Sequence, residues 1–455
     1  EKWTEAAQVL CKHLDNNFDD GQTLFLLQYV FLRADNVGLS YNIGRRAAEI
    51  IPGEAAIWHN IAKCYHERQM NEEAETHFRI ALKRKPDFVH AMEGMSMTSI
   101  DRGDFDATIH YANRALAEDP DANDARINRS MAYLAQKRWK EGWRDYNRNI
   151  GKDKNRKEMK YGDEPRWDGT KGLDIVCYGE QGIGDELSFA SCLPDLIRDS
   201  KSVTLEIDGR NEKTFQRSFP TTKVYGTRYK DRVPKWKEDC PKFDARVALG
   251  ALPEFYRSED KDFHGKPYLV PDPQRTIQWR VLLDSLGKRP NIGLAWAGGI
   301  PKTGYKRRTV TLDTLSPLFT FDANWISLQY KDVEVEDAEK KYGVKIHDFD
   351  WGTRVWDYDQ TIALISQLDL VISVCTTVVH AAGGLGIPTW CLVPEVPMWR
   401  YLQTGEWFPW AGSVKLWRQK KGQWPIPLLL GQLKDEYDKS RNEHRESPKT
   451  LKAAA

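Results

Sequence analysis

The chain has few cysteines, no excess of either charge and no long apolar run, and each absence narrows its class. Its 455 residues include seven Cys, none in a CxxC pair and none beside clustered His. That argues against a disulfide framework and against a structural zinc site, and fits a reducing compartment. Lys and Arg number 67 against 66 Asp and Glu, a formal charge of +1. No global field therefore recruits nucleic acid or an anionic membrane, and no nucleic-acid partner is expected. No stretch approaches the roughly 20 apolar residues that cross a bilayer, and no basic segment leads into an apolar run at the start, so a membrane span is not expected and the cytoplasm is. Two familiar phosphate-binding patterns are missing as well. From Gly182 the order G-I-G-D-E-L puts Leu187 where a dinucleotide fingerprint needs its third glycine, and no Gly-Lys-Ser/Thr follows.

What is present begins with a repeat. Pro52, Pro86 and Pro120 recur at 34 residues, the period of the tetratricopeptide helix pair. One unit carries nearly the whole pattern: Trp58, Ile61, Ala62 and Tyr65 on a first helix, then Ala74, Phe78 and Ala81 on a second, closed by Pro86. These spacings put large residues on one helical face and small ones where helices cross. A degenerate unit with Leu24, Leu27, Phe31, Ala47 and Pro52 precedes it, and looser ones follow to about residue 150. Stacked repeats of this kind form an α-solenoid with a curved face for a peptide or protein.

The pattern stops at GKDKNRKEMKYGDEPRWDGTKG, whose charges, Gly and Pro read as a linker over 151–172. Beyond it the texture is α/β. Strands are expected at 173–178, 203–207, 245–249, 291–296, 325–328 and 370–374, alternating with helices. The Pro-rich Leu269-Val270-Pro271-Asp272-Pro273 divides them into two halves, 173–285 and 286–455. Ligands of such sheets lie beyond the carboxyl ends of the strands, so the loops at 179–185, 297–308 and 375–384 are expected to converge on one cleft. In the last of these, VCTTVVHAAGGLG turns from an apolar strand into a helix of small residues. Either two elements pack closely there or a ligand reaches the backbone.

The repeats, GEQGIGDELSFASCLP, IGLAWAG followed by KRRTV, DLVISVCTTVVHAAGGLGIPTW and a late PMWRYL together resemble bacterial tetratricopeptide proteins with a C-terminal GT-B glycosyltransferase module. That module is similar to the heptosyltransferases and more distantly to the O-linked N-acetylglucosamine transferases. The resemblance implies two Rossmann-like halves, with a nucleotide-sugar donor bound mainly by the second and an acceptor entering from the first half and the repeats. It implies a metal-independent reaction with no cofactor, in which fixed cations and helix N-terminal amides receive the departing phosphate. Lys302 and Arg308 are the cations it points to, with Arg307 beside them, and Cys375, Thr376, Thr377, His380 and Gly383 the donor-binding turn and helix. Asp185 matches the acid that takes the proton of an acceptor hydroxyl, within an acceptor-side loop of Glu180, Gly182 and Gly184, and direct displacement would invert the anomeric centre. Read from the residues alone, Asp185 is more simply a helix cap, Glu180 and Glu186 are substitutes for it as the base, and Gly383 and Gly384 serve either close packing or a ligand's approach.

One departure stands out. Relatives carry an acid where this chain has Cys375, and a thiol has neither the charge nor the two acceptor oxygens of a carboxylate. Trp399, Trp407 and Trp410 either stack a ligand or pack the final helix. Two functions remain open on this reading. One is a transferase whose repeats hold a protein acceptor such as a flagellin or another surface component. The other is a repeat scaffold that binds a sugar nucleotide or a protein partner without turnover.

Overall fold

The computed structural model describes residues 2–152, 156–228, 236, 242–299, 305–330 and 335–446. It divides into two compact units, Glu1–Lys157 with Met398–Gln403, and Glu158–Pro397 with Thr404–Ala455.

The first unit is a stack of helix pairs: α1 (Lys2–Leu14), α2 (Gly21–Arg33), α3 (Val37–Ile50), α4 (Ala55–Glu67), α5 (Asn71–Arg84), α6 (Val89–Asp101), α7 (Phe105–Glu118), α8 (Asn123–Ala135) and α9 (Trp139–Arg148). Its period is written in the backbone. The turns inside the four pairs from α2 to α9 each hold one left-handed residue, Asp35, Gln69, Gly103 and Lys137, at the same 34-residue spacing as the prolines. The degenerate α2–α3 pair therefore turns as the others do. Asp20, Asn36, Glu54 and Asp104 cap helix starts with their side chains. Alanines fill the crossings: Ala62, Ala74, Ala81 and Ala91 are fully buried around Phe78 and Met95. At the other end of the stack Trp399 sets its ring edge-on against Trp143 (5.5 Å) and Tyr146 (5.6 Å), and Gln403 N–H donates to Ala135 O (3.0 Å).

The second unit holds two sheets. The first runs β3-β2-β1-β4, from β1 (Asp174–Tyr178), β2 (Ser202–Glu206), β3 (Lys223–Tyr225) and β4 (Ala245–Ala248). The second runs β10-β9-β8-β5-β6-β7, from β5 (Asn291–Ala295), β6 (Asn324–Ser327), β7 (Ile346–His347), β8 (Leu370–Val374), β9 (Thr389–Val393) and β10 (Val414–Arg418). Every pairing between them is parallel. Parallel strands are covered on both faces, which is why Leu370-Val371-Ile372-Ser373-Val374 is buried throughout and lacks alternation. The helices that matter below are α10 (Ile183–Phe189), α11 (Leu193–Asp199), α12 (Glu212–Ser218), α13 (Pro273–Asp284), α14 (Asp359–Ile365), α15 (Thr377–Leu385) and α16 (Ile426–Glu446). Helix α13 lies in the chain between the sheets and starts at Asp272, which caps Arg275 N–H (2.9 Å), with Pro273 at its first position.

The expected linker is in large part built structure. Trp167 is buried, its N–H donates to Arg246 O (2.8 Å), and Arg246 N–H donates to Pro165 O (2.9 Å) beside β4. Glu158 pairs with Arg166 (2.7 Å) and Arg246 (2.8 Å), which holds its carboxyl down at about 2. Glu158 and Arg166 are therefore paired with each other and, through Arg246, with the sheet.

Candidate active site

Both sheets reverse strand order at one place. In the first the chain leaves β1 for β2 and β3 and returns to β4 on the far side, and in the second it leaves β5 for β6 and β7 and returns to β8. Such switch points open a crevice outside the carboxyl ends of the strands, because neighbouring crossovers diverge to opposite faces. The loops after β1, β5 and β8 are the three that the sequence singles out.

They touch. Helix α10 follows the β1 loop and α15 follows the β8 turn, and their first turns meet at Gly184, where a Cβ would lie 2.8 Å from Thr377 Oγ1. Arg308, buried behind the β5 loop, donates through Nη1 to Cys375 O (3.1 Å). Gln329, buried after β6, fixes the loop from the other side. With its amide oxygen facing the backbone it accepts from Trp296 N–H (2.8 Å) and Ala297 N–H (2.7 Å), and it donates to Ala297 O (2.9 Å). The sequence shows Gln329 only as a polar residue closing an apolar strand, too weak a signal to single it out.

Asp185 stands next to Gly184 on α10, and its Oδ2 accepts from Gly182 N–H at 3.1 Å. Gly182 itself is exposed. Glu180 is buried, beside Gln181 (2.9 Å), and accepts weakly from Gly250 N–H after β4 (3.3 Å). Thr376 caps α15 by accepting from Val378 N–H (3.3 Å), and its hydroxyl lies 3.1 Å from Ser373 Oγ. His380 is buried with its ring 5.8 Å from Phe408. Arg307 is exposed, and Lys302 lies outside the described residues.

Several of the candidates face protein. The Cys375 thiol turns into the sheet, 3.9 Å from Cys391 Sγ and 3.7 Å from Leu392 O, so the residue offers its carbonyl to the turn and not its sulfur. Gly383 faces protein: a Cβ there would lie 2.6 Å from Ala411 Cβ, and one on Gly384 2.7 Å from Leu269. Their small size serves helix packing, whereas the backbone approach occurs nearly two turns earlier, at Thr377. Trp410 packs on Phe189 (5.5 Å) and Phe263 (5.4 Å), and Trp407 on Phe263 (6.1 Å), while the core of α16 is formed by Ile426, Leu429 and Leu433. The late tryptophans thus pack against the rings of Phe189, Phe263, Trp143 and Tyr146.

The helix pairs and the parallel sheets make this a tetratricopeptide-like repeat protein with an α/β unit. No family model matches the chain. It is similar to Protein FlbA of Caulobacter vibrioides, 28% identical over 373 residues that cover 76% of this chain and 61% of FlbA, so the chain spans about three fifths of that relative's length. Among solved structures, MamA is 13% identical over 33% of this chain and 88% of its own, with a TM-score of 0.30. YrrB, described as a TPR protein with an unusual peptide-binding site, is 15% identical over 32% of this chain and 76% of its own, with a TM-score of 0.29. No helix among the described residues is long and apolar enough to cross a membrane.

Proposed function

We propose that the α/β unit is a glycosyltransferase of the GT-B type, which moves a sugar from a nucleotide-sugar donor to a hydroxyl on an acceptor held by the repeats. The observation that carries the reading is the meeting of two switch-point loops: Gly184 against Thr377, with Arg308 on the Cys375 carbonyl. In this reading Asp185 takes the proton of the acceptor hydroxyl as that oxygen forms its bond to the anomeric carbon, and the bond from carbon to the donor phosphate breaks. The departing phosphate, which carries the electron pair, is received by Arg308, by Lys302 and by the N–H groups at the start of α15. Metal independence and inversion of the anomeric centre belong to the same proposal. The repeats supply an extended face for a protein acceptor.

A second reading has one observation of its own. With the Cys375 thiol turned inward, that position presents no carboxylate to the site, which favours a scaffold that binds a sugar nucleotide without turnover.

A panel of ADP-, UDP-, GDP- and CMP-sugars, read by thermal stabilisation and by release of free nucleotide, separates them. A transferase is stabilised by at least one donor and releases its nucleotide. Asp185→Asn should keep the stabilisation and lose roughly a hundredfold or more in release, the usual weight of a general base. Stabilisation without release selects the scaffold, neither effect removes both readings, and full release by Asp185→Asn removes the base assignment.

A further inference from the structure

Glu186 follows Asp185 in the first turn of α10 and is only 1% exposed. Its carboxylate gathers three strand-end loops. It lies where a side chain on Gly179, after β1, would have to be. After β2 it accepts from Asp208 N–H (3.1 and 3.3 Å) and from Asn211 Nδ2 (2.9 Å). After β3 it pairs with Arg228 Nε (3.0 Å). Arg228 also reaches Asp208 (3.3 Å) and donates to Gln181 O, in the loop that leads to Asp185.

The network does not end in the first sheet. Asp208 receives both Nε and Nη2 of Arg210 (2.9 Å each), and the Arg210 guanidinium lies 5.1 Å from the ring centroid of Trp356, in the chain between β7 and α14. Trp356 opens a run of contacts along the same segment. Lys213 pairs with Asp357 (3.0 Å), and Thr214 donates to Asp359 (2.7 Å), which also pairs with Arg217. A buried acid with this many partners is dear to keep charged, and burial pushes Glu186 up to about 7 against the pull of Arg228 and Asn211. A residue serving only as helix former at that position would need none of this.

We propose that Glu186 and Arg228 are positioning residues for Asp185, and that Arg210 on Trp356 transmits to the Asp185 turn how closely the two sheets' halves approach. The proposal rests on the reading of Asp185 as the base. Physically, α10 can shift only if three loops shift with it, and the loop after β2, with helix α12 that follows it, is tied across to the 356–359 segment. A misplacement of about 1 Å at a reacting group is enough to lose up to a hundredfold in rate.

The test uses two variants of the full chain. Trp356 is 72% exposed, so Trp356→Ala removes the contact without opening the core. Glu186→Gln removes the charge at nearly constant shape. Amide exchange at Gly182–Asp185 and nucleotide release from the best donor are both measured. The expected result in both variants is exchange at Gly182–Asp185 about tenfold faster. For release, kcat falls roughly tenfold or more with donor KM within about twofold, since the acid is displaced while the donor turn is untouched. Wild-type exchange in both variants overturns the proposal whatever the release, and so does a loss confined to KM. The exchange readout needs no donor. If the wild type is neither stabilised nor releases nucleotide, the transferase reading falls, and faster exchange would still establish the coupling.

Discussion

At the scale of single residues, the site is an arrangement of charges whose surroundings differ sharply. Asp208 is pushed up by burial, but the bonds from Arg210 and the charge of Arg228 outweigh this and hold it below the ordinary carboxylate range. Glu186, one carboxylate away, is pushed up to about 7 because its burial is complete. The sign of the consequence follows. An acid whose folded value lies above its ordinary 4.5 binds more protons folded than unfolded, so stability falls as pH rises from about 4.5 through about 7. Glu186→Gln is expected to remove that slope: the difference in unfolding free energy between pH 5 and pH 8 should change by on the order of 3 kcal/mol relative to wild type, measured by urea denaturation at each pH. An unchanged slope would mean that Glu186 stays ionised throughout. Glu186 was visible in the sequence only as a neighbour of Asp185, because nothing in G-I-G-D-E-L says which of two adjacent acids points into the fold.

At the scale of elements, α15 shows how one glycine-rich helix answers two demands at its two ends. Its first turn is capped by Thr376 and approached by Gly184, while its last turn is fitted against Ala411, Val414 and Leu269. The two roles make different predictions. Gly383→Leu is expected to destabilise by about 1–3 kcal/mol, the range for overfilling a packed interior, with little change in donor-induced stabilisation of whatever folds. Loss of donor binding at unchanged stability would return Gly383 to the ligand. Helix α10 carries the complementary lesson. Its seven residues are fixed less by their own propensity than by the carboxylate of Glu186, since helices this short are marginal alone.

At the scale of the α/β unit, α12 and the start of α14 form the other tie between the two sheets' halves. Asp359 is 1% exposed, accepts from Thr214 and pairs with Arg217, while Arg275 Nη1 stands 3.9 Å away. Nearby, burial pushes the Asp357 carboxyl up, yet Arg275 and Lys213 hold it below its ordinary value. Deleting one acid from such a cluster strands the cations. Asp359→Ala is therefore expected to cost about 3–5 kcal/mol of stability, read from the denaturant midpoint, and Asp359→Asn less because the Thr214 bond survives. For the unit as a whole, a donor at a hundred times its Kd should add about 2.7 kcal/mol, which a thermal or chemical melt resolves.

The periodic part is legible in the residues alone. A 34-residue repeat is local, so Pro52, Phe78 and the alanines carry it without help, and the backbone turns at Asp35, Gln69, Gly103 and Lys137 follow. The central strands are legible there as well, since β1, β5 and β8 are largely apolar runs between turn residues and β2 alternates Val203 and Leu205 with polar neighbours. Features without a local signature were set by packing across the fold. The strands β3 and β7 have three and two residues, too few for a pattern, and exist through their neighbours in the sheet. The inward turn of Cys375, the packing role of Gly383 and the network from Glu186 to Trp356 join residues far apart in the chain, and side-chain direction at such meetings is fixed by what fills the space around it.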